Sequence, residues 1–117
     1  MNETELKHRI KQFALRVMNM VDALPNTRGG NAIANQLVRS GTAVGANYRA
    51  TCRARSKAEF IAKIGVVEEE ADESAFWMEL ITDGELMPPA KVSALLKEAN
   101  ELTAIMAASR ISAASRR

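Results

Sequence analysis

Cysteine and histidine are almost missing: the 117-residue chain has one of each, Cys52 and His8. A single cysteine excludes an internal disulfide and any cysteine-built zinc site, and it suits a reducing compartment. One histidine leaves little imidazole for metal binding or acid–base chemistry. Aromatic residues make up 4%, with three prolines and six glycines, a balance unsuited to a loop-rich or all-β domain. Long apolar runs are absent as well. The most apolar stretch near the start, Phe13 to Val21, is broken by Arg16 and Asn19, and no small-residue cleavage pattern follows it. We therefore expect a cytoplasmic protein with no signal peptide and no membrane contact.

Alanine, leucine, methionine, glutamate, lysine and arginine dominate instead, and all favour helices. Hydrophobic residues at 47% and charged residues at 26% are ordinary for a soluble globular protein. The length suits one domain, residues 1–117, with its own core.

Apolar residues recur four and three apart at Leu6, Ile10, Phe13, Val17, Met20 and Leu24, ending at Pro25. A second stripe runs Ala34, Leu37, Gly41, Val44 and Tyr48, and a third Phe60, Ile64, Val67, Ala71, Ser74, Met78 and Ile81. Ser56 and Glu59 form a capping-box signature ahead of the third stripe. The fourth, Val92, Leu95, Ala99, Leu102 and Met106, follows Pro88-Pro89. A shared 3.5-residue repeat is the seam of nearly antiparallel helix packing. The spacing predicts an all-α fold, an up-down-up-down antiparallel four-helix bundle with helices over about 3–24, 31–54, 57–82 and 89–109. The final Ala113 to Arg117 carries no stripe and is expected to fray. Gly41 and Gly45 lie within the second helix, where each costs about 1 kcal/mol relative to alanine. Either they admit another helix backbone closely, or a loop interrupts the helix near Ser40-Gly41-Thr42. The phase kept by Leu37, Val44 and Tyr48 favours close packing.

The net charge of +2 conceals a strong segregation. Pro25 to Ala58 holds six basic residues and no acidic one, whereas Glu59 to Leu86 holds nine acidic residues and one basic. At about 100° per residue, Arg39, Arg49 and Arg53 fall within roughly 80° of one another, away from the apolar stripe. With Arg55 and Lys57 they form a candidate nucleic-acid-binding set, because the guanidinium fork suits phosphate. The competing expectation is that they pair with Glu69, Glu70 or Glu73, in the same chain or a neighbouring one. On the third helix Val66, Phe76 and Leu80 point opposite the core stripe and Trp77 lies off it, a surface suited to another protein. Glu69 and Glu73 share that face, where like charges repel and arginines of a neighbouring subunit would relieve them. Val66, Glu69, Glu73, Phe76, Trp77 and Leu80 are thus the candidate oligomer interface, with burial of the aromatics in the core as the alternative.

No catalytic constellation is recognisable. Glu68, Glu69, Glu70, Asp72 and Glu73 invite comparison with di-iron bundles, but the paired Glu-x-x-His motifs are missing. There is no phosphate-binding glycine loop, nucleophile elbow or cysteine–histidine pair, and Cys52 flanks an apolar stripe as a small packing residue. We expect no enzyme, no cofactor and no metal.

Three stretches resemble a known family: Arg39-Ser40-Gly41-Thr42-Ala43-Val44-Gly45-Ala46-Asn47-Tyr48-Arg49, then Arg53 to Ile61, then Glu69 to Leu80 with its Ala75-Phe76-Trp77-Met78. The chain is similar to the bacterial four-helix bundle proteins first noticed as reading frames within intervening sequences of large-subunit ribosomal RNA genes, also called S23-like. The resemblance implies a homopentamer and kinship with the basic accessory protein of diversity-generating retroelements, which works with a reverse transcriptase and nucleic acid. It therefore implies copies of the chain itself, RNA or DNA, and a reverse transcriptase or other protein as partners. One departure stands out. Ala50-Thr51-Cys52 occupies the place where the family pattern leads us to expect an acidic residue, so Arg49 and Arg53 lack a local partner. The combined expectation is a non-enzymatic oligomeric bundle that binds nucleic acid, the alternative being an adaptor whose arginines hold subunits together.

Overall fold

A computed structural model describes residues 1–116. Four helices follow one another: α1 (Glu3–Asp22), α2 (Arg28–Thr51), α3 (Lys57–Asp83) and α4 (Pro89–Ser115). Each start has a local cause. The side chains of Asn2, Thr27 and Ser56 accept hydrogen bonds from the backbone N–H groups of Glu5, Gly30 and Glu59, supplying acceptors that the first helical turn lacks. Glu59 reaches back to accept from the Arg55 N–H at 3.1 Å. Pro89 opens α4 at the position where a missing N–H is harmless. At the end of α3, the N–H of Leu86 bonds to Ile81 and that of Glu85 to Thr82, a Schellman closure that puts Glu85 at φ 57°.

Sequential helices pack side by side, α1 closes against α4, and the diagonal pairs α1/α3 and α2/α4 do not meet. The result is an antiparallel bundle about 50 Å long and 20 Å across. Its axis is filled by the four stripes: Ile10, Phe13, Val17, Leu37, Val44, Ile64, Val67, Met78, Ile81, Val92, Leu102 and Met106 are all fully buried. Each such side chain contributes about 1.5–3 kcal/mol relative to an exposed one.

Helix α2 runs unbroken through both glycines. A Cβ on Gly41 would lie 2.7 Å from Val17 Cγ1, and one on Gly45 3.3 Å from Ile10 Cγ2. The helix admitted by these glycines is α1. On its other side α2 meets α3 through Ser40 and Ser74, both fully buried, whose hydroxyls lie 2.9 Å apart. Ser74 also donates to the Glu70 carbonyl.

Several helix ends differ from the sequence expectation, most of all those of α2 and the end of α4. α2 begins three residues early because Thr27, in an otherwise glycine-rich turn, caps it; it stops at Thr51, where Cys52 forms the C-cap. α4 continues to Ser115 with Ala113 buried, so Ala113 to Ser115 are helical rather than frayed. Arg117 lies outside the described residues.

Candidate nucleic-acid interface

The cations of α2 and the turn after it divide into three groups. Arg39 lies towards α3, with its guanidinium 3.1 Å from Glu70 Oε2 and hydrogen-bonded to Glu73. The hydrogen bond to Glu73 is the leading cause that raises the Arg39 pKa further, and the half-exposed guanidinium is directed at carboxylates of its own chain. Arg55 sits on the α2–α3 turn, and Lys57 is the first residue of α3. The Arg55 side chain is exposed, and Lys57 Nζ donates to the Arg116 carbonyl.

Arg49 and Arg53 form the third group, on the side of α2 that adjoins α1. There they line an open groove of about 640 Å³ with Lys7, His8 and Lys11 of α1. Its floor is Ile10, Ala14, Gly45, Ala46 and Tyr48, small or flat groups that leave space above the closest approach of the two helices. Among the described residues no carboxylate lines the groove. Among the described residues no ion pair involves Arg49, Arg53, Arg55 or Lys57, and Lys7 has only Glu3 at 4.0 Å, exposed on the same helix. Such a pair contributes little.

Lys7, His8 and Lys11 escaped the sequence reading. Their signal was present, since residues 7 and 11 share one flank of the α1 stripe. What periodicity leaves open is which neighbouring helix that flank adjoins.

The outward face of α3 keeps apolar groups in solvent: Val66 is 39% exposed and Phe76 49%. Leu80 is half-buried. Trp77 departs from the expectation of a free apolar group. It is half-buried against the core, edge-on to Phe76 at 5.1 Å between ring centres, and its N–H donates to Glu73 at 3.1 Å. Glu73 is therefore relieved by Arg39 and Trp77 of the same chain rather than by a neighbour. Glu69 is exposed and, among the described residues, carries no ion pair. A second exposed apolar pair, Leu15 and Met18 on α1, also escaped the sequence reading.

The remaining chemistry is structural. Glu68 binds Arg110 of α4 at 2.7 Å, so the acidic run of α3 is largely engaged by arginines. Among the described residues no group of three or more His, Cys, Asp and Glu is placed to hold a metal, and no helix is long and apolar enough to cross a membrane. Burial first, and then a hydrogen bond with Glu3, push the Cys52 thiol up, away from the thiolate a nucleophile requires.

An antiparallel four-helix bundle with a basic flank and an acidic third helix is the class these features define. The sequence matches the 23S rRNA-intervening sequence proteins over residues 2–108, and the chain belongs to that family. It is also similar to a solved structure, a protein of unknown function from the S23 ribosomal protein family of Bacteroides thetaiotaomicron VPI-5482. The two share 29% identity over 89% of this chain and 96% of that one, with a TM-score of 0.82. No curated protein matches the chain.

Proposed function

We propose that the protein is a non-enzymatic accessory bundle that assembles with copies of itself and binds nucleic acid through phosphate contacts. The observation that carries this reading is a contrast among the cations of α2 and the turn after it: Arg39 is paired with carboxylates, while among the described residues Arg49, Arg53, Arg55 and Lys57, the first residue of α3, carry no ion pair. Arginines held apart from acidic partners on a helix surface are suited to bidentate phosphate contact.

Self-association is supported by two unlike apolar patches on diagonal helices, Leu15 and Met18 on α1 and Val66 and Phe76 on α3. Unlike patches join head to tail, giving a ring if the rotation closes and a filament if it does not. The Val17–Gly41 and Ser40–Ser74 contacts put Met18 and Phe76 within about one helical turn of the same height along the bundle. Equal height favours a closed ring, and the pentamer implied by the family resemblance is one such ring.

The test pairs two measurements on the purified chain. Fluorescence anisotropy with labelled single-stranded and duplex RNA, titrated across salt, is expected to show binding that weakens steeply as counterions compete. Sedimentation velocity is expected to show an oligomer that Phe76→Glu dissociates. Absence of RNA binding at low salt in an intact oligomer would overturn the nucleic-acid reading in favour of a protein adaptor.

A further inference from the structure

We infer that the groove between α1 and α2 is a nucleic-acid phosphate-binding site in which Lys7 and Lys11 of α1 act together with Arg49 of α2 and Arg53 of the turn that follows it. This inference rests on the nucleic-acid reading above and assigns it to a particular place. Two rows of cations face one another across an apolar floor, and among the described residues no carboxylate lines the space between them. In the α1 row Lys7 and Lys11 are four residues apart, about 6 Å along the helix axis, comparable to the separation of successive phosphates on one strand. Ala14, Gly45 and Ala46 keep the floor low, so a phosphodiester backbone can lie between the rows instead of on top of them.

The rival occupant is the acidic face of a second copy, and the observed pairing speaks against it. Glu70 and Glu73 are held by Arg39, and Glu68 by Arg110. On the outward side of α3 this leaves Glu69, Asp72 and Glu79 exposed and, among the described residues, without ion pairs. A polyanion offers two rows of cations a continuous run of negative charge; three carboxylates spaced among Val66 and Phe76 do not.

The groove adjoins the apolar patch of α1: Ala14 lines it beside Leu15, and Lys11 precedes the exposed Leu15 by four residues on the same flank. The oligomeric state of a groove variant is therefore read together with its affinity.

The experiment compares the wild-type chain, the double variant Lys11→Glu/Arg53→Glu and the double variant Lys91→Glu/Lys97→Glu by anisotropy with labelled single-stranded RNA at several salt concentrations. Circular dichroism and sedimentation velocity accompany each. All four substituted residues are exposed, and both double variants change net charge equally. The groove variant is expected to lose about tenfold or more in affinity at low salt and to flatten the salt dependence by about two counterions; the α4 variant is expected to stay within about threefold of wild type. If wild-type protein binds no RNA, the nucleic-acid reading itself falls. If wild-type binds and the groove variant is no weaker than the α4 variant, the groove assignment falls while that reading stands. If the groove variant dissociates the oligomer, the groove belongs to a second copy. Should it lose helicity, the neutral pair Lys11→Gln/Arg53→Gln replaces it, with a smaller loss of the same sign expected.

Discussion

Along one side of α2 the backbone comes against α1 through glycine and alanine, with Val17 over Gly41 and Ile10 over Gly45. Along the other side Ser40 reaches Ser74 and Arg39 reaches Glu70 and Glu73, so α3 is joined by hydrogen bonds and ion pairs. The first seam depends on shape and engages no cation of α2. The second depends on polar partners and pairs one, Arg39, with two carboxylates. Because the shape-based seam demands small side chains, it leaves room above itself, and that room is where Arg49 and Arg53 remain without carboxylates. Packing chemistry on one flank of a helix thus decides which of its charges are available for binding.

Removing the space on the α1 side is the strongest way to break this arrangement. Gly41→Val places branched carbons where even a Cβ would stand 2.7 Å from Val17, itself fully buried. Overpacking of this kind costs about 3 kcal/mol, measurable by urea unfolding, and displaces α1 from α2. Gly45→Ala probes the same seam where the approach is looser, 3.3 Å from Cγ2 of Ile10 against 2.7 Å at Gly41. There the gain of about 1 kcal/mol in helix propensity offsets the crowding, and stability is expected to stay close to wild type. Equal, large losses at both glycines would show that the seam has no graded fit.

On the α3 side the expected effect is smaller. Ser40→Ala removes the interhelical hydrogen bond but leaves Ser74 its acceptor at the Glu70 carbonyl, so the cost is about 1 kcal/mol. The Ser40→Ala/Ser74→Ala double variant is expected to cost less than the sum of the singles, because one bond is lost in both. Additive losses in the unfolding midpoints would mean that the two hydroxyls act independently.

The same contrast explains what could be read from the chain alone. The four stripes were legible because burial follows a period: Leu6, Ile10, Phe13 and Val17 of α1 and Val92, Leu95, Ala99 and Leu102 of α4 are buried as their spacing requires. Ser40 and Ala75 lie beside their stripes and escaped it, since a small residue next to a seam gives no hydrophobic signal. Charge proved harder, because arginines that share a helix face can have different neighbours. Arg39 and Arg53 look alike by angle, yet Arg39 meets the carboxylates of α3 while Arg53, past the end of α2, lines the groove beside α1. Lys7 and Lys11 were invisible as site residues for a similar reason, their chemistry depending on a partner helix some forty residues away in sequence.

A crossed pair of substitutions sharpens the division. Arg39→Ala is expected to lower the melting temperature slightly, more at low salt than at high salt because the ion pairs are exposed and screened, and to leave RNA affinity unchanged. Arg53→Ala is expected to do the opposite, weakening RNA binding several-fold, as loss of one phosphate contact should, with the melting curve unmoved. Anisotropy and thermal unfolding on the two variants decide it, and a similar loss of affinity in both would place Arg39 back among the phosphate contacts.

The remaining seam, α1 against α4, extends the comparison to pH. Arg9 holds Glu98 at 2.6 Å and Glu101 at 2.9 Å, and its hydrogen bond is the leading cause holding Glu98 below the usual glutamate range. A carboxylate whose folded pKa is depressed adds stability above its unfolded value, about 4.3, and loses it as pH falls through the lower folded value. Wild-type protein is therefore expected to exceed Glu98→Gln in melting temperature at neutral pH, with the gap closing below about pH 4. The α1–α2 seam, which carries no such pair, supplies the control: Gly45→Ala should track wild type across the same range. A Glu98→Gln gap that persists unchanged into strong acid would mean that Arg9 and Glu98 act by shape, as glycine does on the other flank of α1, and not by charge.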